Sequence, residues 1–124
     1  MIMIEIDFNS EEALYMQLRN QIIMGIANSM VQEGESLPSV RELAEQVGIN
    51  MHTVNKAYNI LRQEGYLKLD RRKGAVIAVD MDADRAKNEL MEELKVLVAK
   101  AICHGVEKET VNELVNEIYQ EYEG

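Results

Sequence analysis

Tryptophan is absent from this chain of 124 residues, and phenylalanine, proline and cysteine occur once each. With Phe8 the single phenylalanine, any core must rest on Leu, Ile, Val, Met and Ala. The 47% hydrophobic content is enough for one small domain, or for one small domain with an appendage. The lone Cys103 excludes an internal disulfide framework and points to a reducing, cytoplasmic setting. No apolar run is long enough for a membrane-spanning helix, so no membrane partner is expected. The start, Met1 to Glu5, lacks the basic and apolar stretches of a signal peptide. A Ser-His-Asp arrangement, a P-loop and a Rossmann fingerprint are all missing, so no enzyme and no catalytic residue is expected. Cys103-His104 has no second Cys/His pair nearby in sequence, so neither metal nor cofactor is expected.

Positive charge is also scarce. The net charge is −9, and averaged over the chain it argues against nucleic acid. The average misleads. Residues 1–38 hold one basic and six acidic residues, net −5, and residues 80–124 hold five and twelve, net −7. Residues 39–79 hold seven basic and four acidic residues, net +3. DNA responds to a local basic face, so the distribution matters more than the total.

The basic segment contains the most informative stretch, residues 37–58. Ser39 is an N-cap candidate with Glu42 three residues on, a capping box. Val40, Leu43, Ala44 and Val47 form one apolar stripe, and Gly48 stands where a helix ends in a left-handed residue. Asn50 can cap a second helix with Val54, Ala57, Tyr58 and Leu61 on one face. Met51, His52, Asn55, Lys56 and Asn59 occupy the other face. Two helices around a Gly turn, the second with a polar outer face, match the helix-turn-helix used for major-groove reading.

Around this pair the pattern predicts a short strand or extended arm over Met3 to Phe8. Asn9 or Ser10 should cap a first helix with Glu11 and Glu12 in its first turn. Leu14, Leu18, Ile22, Ile26 and Met30 carry that helix to about Met30 or Val31, with residues 32–36 a loop. Pro38 makes Leu37 extended. Past Gly65, residues 66–70 and 75–79 read as two strands joined by Arg71-Arg72-Lys73-Gly74. The fold class is therefore mainly α with a small β-hairpin: a winged helix-turn-helix over residues 1–79. An acidic hinge from Asp80 to Asp84 opens a tail over 80–124, with Asp82 or Asp84 capping its first helix. The tail is two amphipathic helices, one to about His104 and one from Glu107 to Glu123. About 45 residues are too few to enclose a core alone, which predicts a helical dimerisation hairpin using Leu90, Leu94, Leu97, Ala101, Leu114 and Ile118.

With these motifs in place the sequence resembles the GntR family of bacterial transcription regulators, and within it the YtrA-like subfamily. The matching residues are Leu14-Tyr15 with Gln17, Leu37 to Ala44, Val47 to Asn50, Thr53 to Tyr58, Leu61, Glu64-Gly65-Tyr66 and Lys73-Gly74. The match is dense over about residues 13–79, and the tail matches mainly in length and pattern. The family usually has Gly-x-Gly at the wing, and Arg72 replaces the first Gly; Glu33-Gly34 stands where Pro-Gly is usual.

The resemblance implies a cytoplasmic homodimer on an inverted-repeat operator of double-stranded DNA, often as a repressor. It implies DNA contacts by Ser39 and Arg41 around the first helix of the pair. The start of the reading helix would supply Asn50, Met51, His52, Thr53, Asn55 and Lys56, and the wing tip Arg71, Arg72, Lys73 and Gly74. Asn55 can offer both amide groups to an adenine edge, and Met51 can touch a thymine methyl. A small-molecule effector, if one acts, would have to bind near the hinge or the dimer seam, because so short a tail leaves little room for a pocket. The rival reading is a winged helix used as a protein-interaction module without specific DNA binding.

Overall fold

The computed structural model describes residues 4–123. The elements are α1 (Leu14–Ala27), α2 (Val40–Val47), α3 (Met51–Gln63), β1 (Leu67–Asp70), β2 (Gly74–Ile77), α4 (Ala83–Cys103) and α5 (Lys108–Glu123). The chain divides into two compact units, one ending at Asp80 and one starting at Met81.

In the first unit α1 packs on α3, α2 packs on α3, and β1 lies beside α3. Leu18 and Ile22 of α1, Val54 and Leu61 of α3, and Ile77 of β2 are fully buried. Each such side chain contributes about 1.5–3 kcal/mol by leaving water. The core is mainly aliphatic, with Tyr58 its one buried aromatic among the described residues, and Phe8 stays outside it, 62% exposed.

The arm before α1 has no regular secondary structure over residues 4–7 and pairs with no strand among the described residues; Met3 lies outside the described residues. Two glutamines of α1, one turn apart, take the place of a partner strand. Gln17 Oε1 accepts the Asp7 N–H at 2.9 Å while its Nε2 donates to the Asp7 carbonyl at 3.0 Å. Gln21 Oε1 accepts the Glu5 N–H at 2.8 Å, and its Nε2 donates to the Glu5 carbonyl. A carboxamide has the donor and acceptor of a peptide group, so it can close such a ladder.

Helix α1 starts later than the expected cap at Asn9 or Ser10 would have it, and ends earlier than its apolar pattern suggests. Asp7 and Ser10 spend their side chains on local turns, accepting from the N–H groups of Asn9 at 2.9 Å and Glu12 at 3.1 Å. Such side-chain turns compete with helix. Ala13 therefore sits at the N-cap without a side-chain bond, and Glu11 and Glu12 precede the helix. At the other end Ser29 takes φ +63°, and the N–H groups of Met30 and Val31 both reach the Gly25 carbonyl. Met30 leaves the stripe and is exposed, while Val31 enters the core.

The caps of the helix pair form as the residues dictate. Ser39 Oγ accepts from the Glu42 N–H at 3.1 Å, Gly48 is left-handed at φ +78°, and Asn50 Oδ1 accepts from the His52 N–H at 2.7 Å. The Tyr58 hydroxyl donates to the Pro38 carbonyl at 2.8 Å and fixes α3 against the lead into α2. Burial, with the Glu42 carboxylate adding to it, pushes that hydroxyl well above the usual tyrosine range, so it stays a donor.

The hairpin pairs Leu67 with Ile77 and Asp70 with Gly74, so Gly74 begins β2 and the connection is Arg71-Arg72-Lys73. The expected loop before Leu37 stays a loop, outside the two-stranded sheet, but its backbone bonds to β2. Ile77 N–H bonds to the Glu35 carbonyl and Leu37 N–H to the Ala75 carbonyl, both at 2.8 Å. Ser36 bridges to Val76.

In the second unit Asp82 Oδ1 accepts from the Arg85 N–H at 3.1 Å and caps α4. Gly105, at φ +72°, turns the chain toward α5. No residue of α4 or α5 is buried among those described.

Candidate nucleic-acid interface

Helix α3 is two-faced. Val54, Ala57, Tyr58 and Leu61 are buried, while Met51, His52, Asn55, Lys56 and Asn59 are exposed, with Thr53 half-buried between them. Asn50 caps the helix through its carbonyl oxygen. Lys56 carries its ammonium over the ring of Tyr15, 3.9 Å from the centroid. Arg41 is exposed on α2, and it forms no ion pair with Glu45, four residues on, among the described residues.

The wing tip is organised by Asp70. Its Oδ1 accepts from the Arg72 N–H at 2.8 Å and the Lys73 N–H at 3.0 Å. These two bonds, the Arg72 one foremost, hold the exposed Asp70 carboxyl below the usual carboxylate range. Gly74 at φ +74° supplies the one left-handed residue of the turn. Arg72 adopts no positive φ, so a side chain replaces the usual glycine without backbone strain. Arg71, Arg72 and Lys73 are exposed on this turn.

Two clefts flank the wing, one shared with α2 and α3 and one with α2 and the loop before it. One, of about 270 Å³, is bounded by Ser39, by Asn55, Asn59 and Arg62 of α3, and by Leu69 and Gly74 of the wing. The other, of about 570 Å³, lies on the side of Ser36 and Glu42 and also meets Ser39, Lys73 and Gly74. Ser39 and Gly74 thus border both, whereas Arg41, Asn50, Met51 and His52 border neither. Sequence reasoning missed Arg62 and Lys68 at the first cleft. The signal for Arg62 was its spacing, seven residues after Asn55 on one stripe of α3.

Of the six tail residues expected to serve dimerisation, five are exposed. Leu97 is 57% exposed and Ile118 50%; Leu90, Leu94 and Leu114 are likewise exposed, and Ala101 is half-buried. Cys103 is exposed, and no cluster of metal-ligating side chains occurs among the described residues. No helix among them is long and apolar enough to cross a membrane.

Three helices, a hairpin wing and a polar outer face on the third helix define a winged helix-turn-helix protein of the DNA-binding class. The family model "Bacterial regulatory proteins, gntR family" matches residues 11–77. The chain belongs to the GntR family of transcription regulators. It is similar to the HTH-type transcriptional repressor YtrA of Bacillus subtilis (strain 168), being 34% identical over 125 residues that span 98% of this chain and 96% of that protein. A transcriptional antiterminator from Listeria monocytogenes EGD-e has a similar crystal structure, with TM-score 0.87 and 30% identity over 98% of this chain and 93% of that one. The AraR DNA-binding domain in complex with operator ORE1 matches with TM-score 0.50 and 28% identity, over 58% of this chain and 90% of that one.

Proposed function

We propose that the chain is a sequence-specific repressor that binds an inverted-repeat operator as a cytoplasmic homodimer. The observation that carries this reading is the exposed face of α3, with Met51, His52, Asn55 and Lys56 outward. It lies in the one segment of net positive charge, 39–79, which also holds the cationic wing tip.

In this reading α3 enters the major groove by its N-terminal half. Asn55 pairs with an adenine edge, and Met51 meets a thymine methyl. Asn50, already committed to its cap, orients the first turn, whose backbone N–H groups approach phosphate together with Ser39, Arg41, His52 and Thr53. Arg71, Arg72 and Lys73, seated by Gly74, take the flanking backbone and minor groove. Two such heads, about 34 Å apart across a two-fold axis, read an inverted repeat. The apolar faces of α4 and α5 supply the pairing, and the acidic remainder of the chain discourages other approaches of the DNA.

The test is selection of a duplex from a random pool, followed by titration at several salt concentrations. An inverted repeat should emerge and bind with a steep salt dependence that a scrambled duplex lacks. Arg72→Ala should weaken binding several-fold and flatten the slope. A failure to enrich any duplex would overturn the reading.

A further inference from the structure

We propose that Tyr15 is a positioning residue for DNA binding: its ring holds the Lys56 ammonium ready for a phosphate. The inference rests on the DNA-binding reading above. Tyr15 belongs to the first turn of α1, far from α3 in sequence, and packs against the core that joins the two helices. Its ring is therefore a fixed platform. The Lys56 Nζ lies 3.9 Å from the ring centroid, although the lysine itself is exposed. No carboxylate pairs with Lys56 among the described residues.

The choice of an aromatic partner has a consequence for charge. A carboxylate would restrain the lysine but neutralise it, and would have to be displaced before a phosphate could bind. A ring face restrains the same side chain through its quadrupole and leaves the full positive charge. One side of the ammonium rests on the ring, and its remaining N–H donors stay open. A free lysine surrenders about 2 kcal/mol of rotamer freedom when it is immobilised. Lys56 has given up part of that freedom before DNA arrives, so less is lost on binding. The arrangement also accounts for a motif residue, Tyr15, to which the direct reading of the helix pair assigns no task.

The experiment is a double-mutant cycle on the full chain with the selected duplex. Lys56→Met should weaken binding several-fold and lower the log–log salt slope by about one. Tyr15→Leu should weaken binding about two- to five-fold with the slope retained, and Tyr15→Phe should stay near wild type. In the Lys56→Met background Tyr15→Leu should add nothing. Without DNA, the Lys56 methylene protons should show a ring-current upfield shift in wild type and Tyr15→Phe, and lose it in Tyr15→Leu. If Tyr15→Leu melts early, Tyr15→Met fills the same space and serves that arm.

Additive losses would show that Tyr15 acts on the fold and not through Lys56, and would overturn the proposal. Tighter binding by Tyr15→Leu would overturn it in the opposite sense, with the ring withholding the lysine. A wild type that binds its duplex while Lys56→Met binds equally well removes the Lys56 role alone. A wild type that selects no duplex removes the DNA reading itself.

Discussion

Arg72 occupies a wing position where the family usually has glycine, and Asp70 is what makes this possible. Its carboxylate gathers the Arg72 and Lys73 N–H groups, so a side-chain turn replaces backbone freedom. Asp70→Ala should loosen the wing tip and weaken DNA binding while leaving the melting temperature nearly unchanged, because Asp70 is exposed. Its lowered pKa gives the turn a pH dependence of known sign. The carboxylate's contribution is fully present above the ordinary aspartate value and is lost as pH falls through the lowered, folded value. The Arg72 and Lys73 amide resonances should titrate together with one midpoint below that of an ordinary aspartate. Separate or unshifted midpoints would dissociate the turn from Asp70. The family pattern marked Arg72 as a departure, but the residue that accommodates it lies two positions earlier and became visible only with the hydrogen bonds.

At the scale of elements, caps decide where α2 and α3 begin, and those caps were legible. Ser39, Gly48 and Asn50 act through neighbours two to four residues away, so a linear reading suffices. The bounds of α1 were less legible, because Asp7 and Ser10 had two local uses for their oxygens and took the turn. The strand character of Ser36 was missed because its partner, Val76, lies forty residues on. Asn50 caps α3, and the proposed function also sets it beside DNA; substitution can separate the two roles. Asn50→Ala should cost about 1 kcal/mol of stability through the lost cap. Asn50→Asp keeps the acceptor and should preserve stability, yet it should weaken DNA binding by setting a carboxylate beside phosphate. Denaturant midpoints and duplex titrations on the same samples read the two effects. Equal stability loss in both variants would remove the cap assignment.

At the scale of the whole molecule, two compact units carry different kinds of surface. The first encloses a mainly aliphatic core, whereas the second fully buries no apolar side chain among its described residues, Leu97 being 57% exposed and Ile118 50%. A helical surface of this kind is most simply covered by its own copy across a two-fold axis. Leu94→Glu combined with Leu97→Glu should convert a dimer to a monomer at micromolar concentration, read by light scattering. It should weaken binding to the inverted repeat far more than to a single half-site. A wild-type monomer at that concentration would remove the homodimer from the proposal.

The sequence by itself determined the order of elements, the mainly aliphatic nature of the core and the position of the helix-turn-helix. It also located the cationic hairpin and the one basic segment of an acidic chain. These follow from periodicity, capping residues and local charge, all of which act over a few residues. Only the tertiary structure decided which distant groups meet. It paired the Gln17 and Gln21 carboxamides with the backbone of residues 5 and 7, and the loop before Leu37 with β2. It stood the Tyr15 ring beneath the Lys56 ammonium. Such contacts depend on how two helices cross and where a turn ends, and neither is encoded in the spacing of any one stretch. Residues 37–58 name the reading helix. The contacts that hold the Lys56 side chain and the wing tip come from Tyr15 and Asp70, outside that stretch, and the folded chain brings them together.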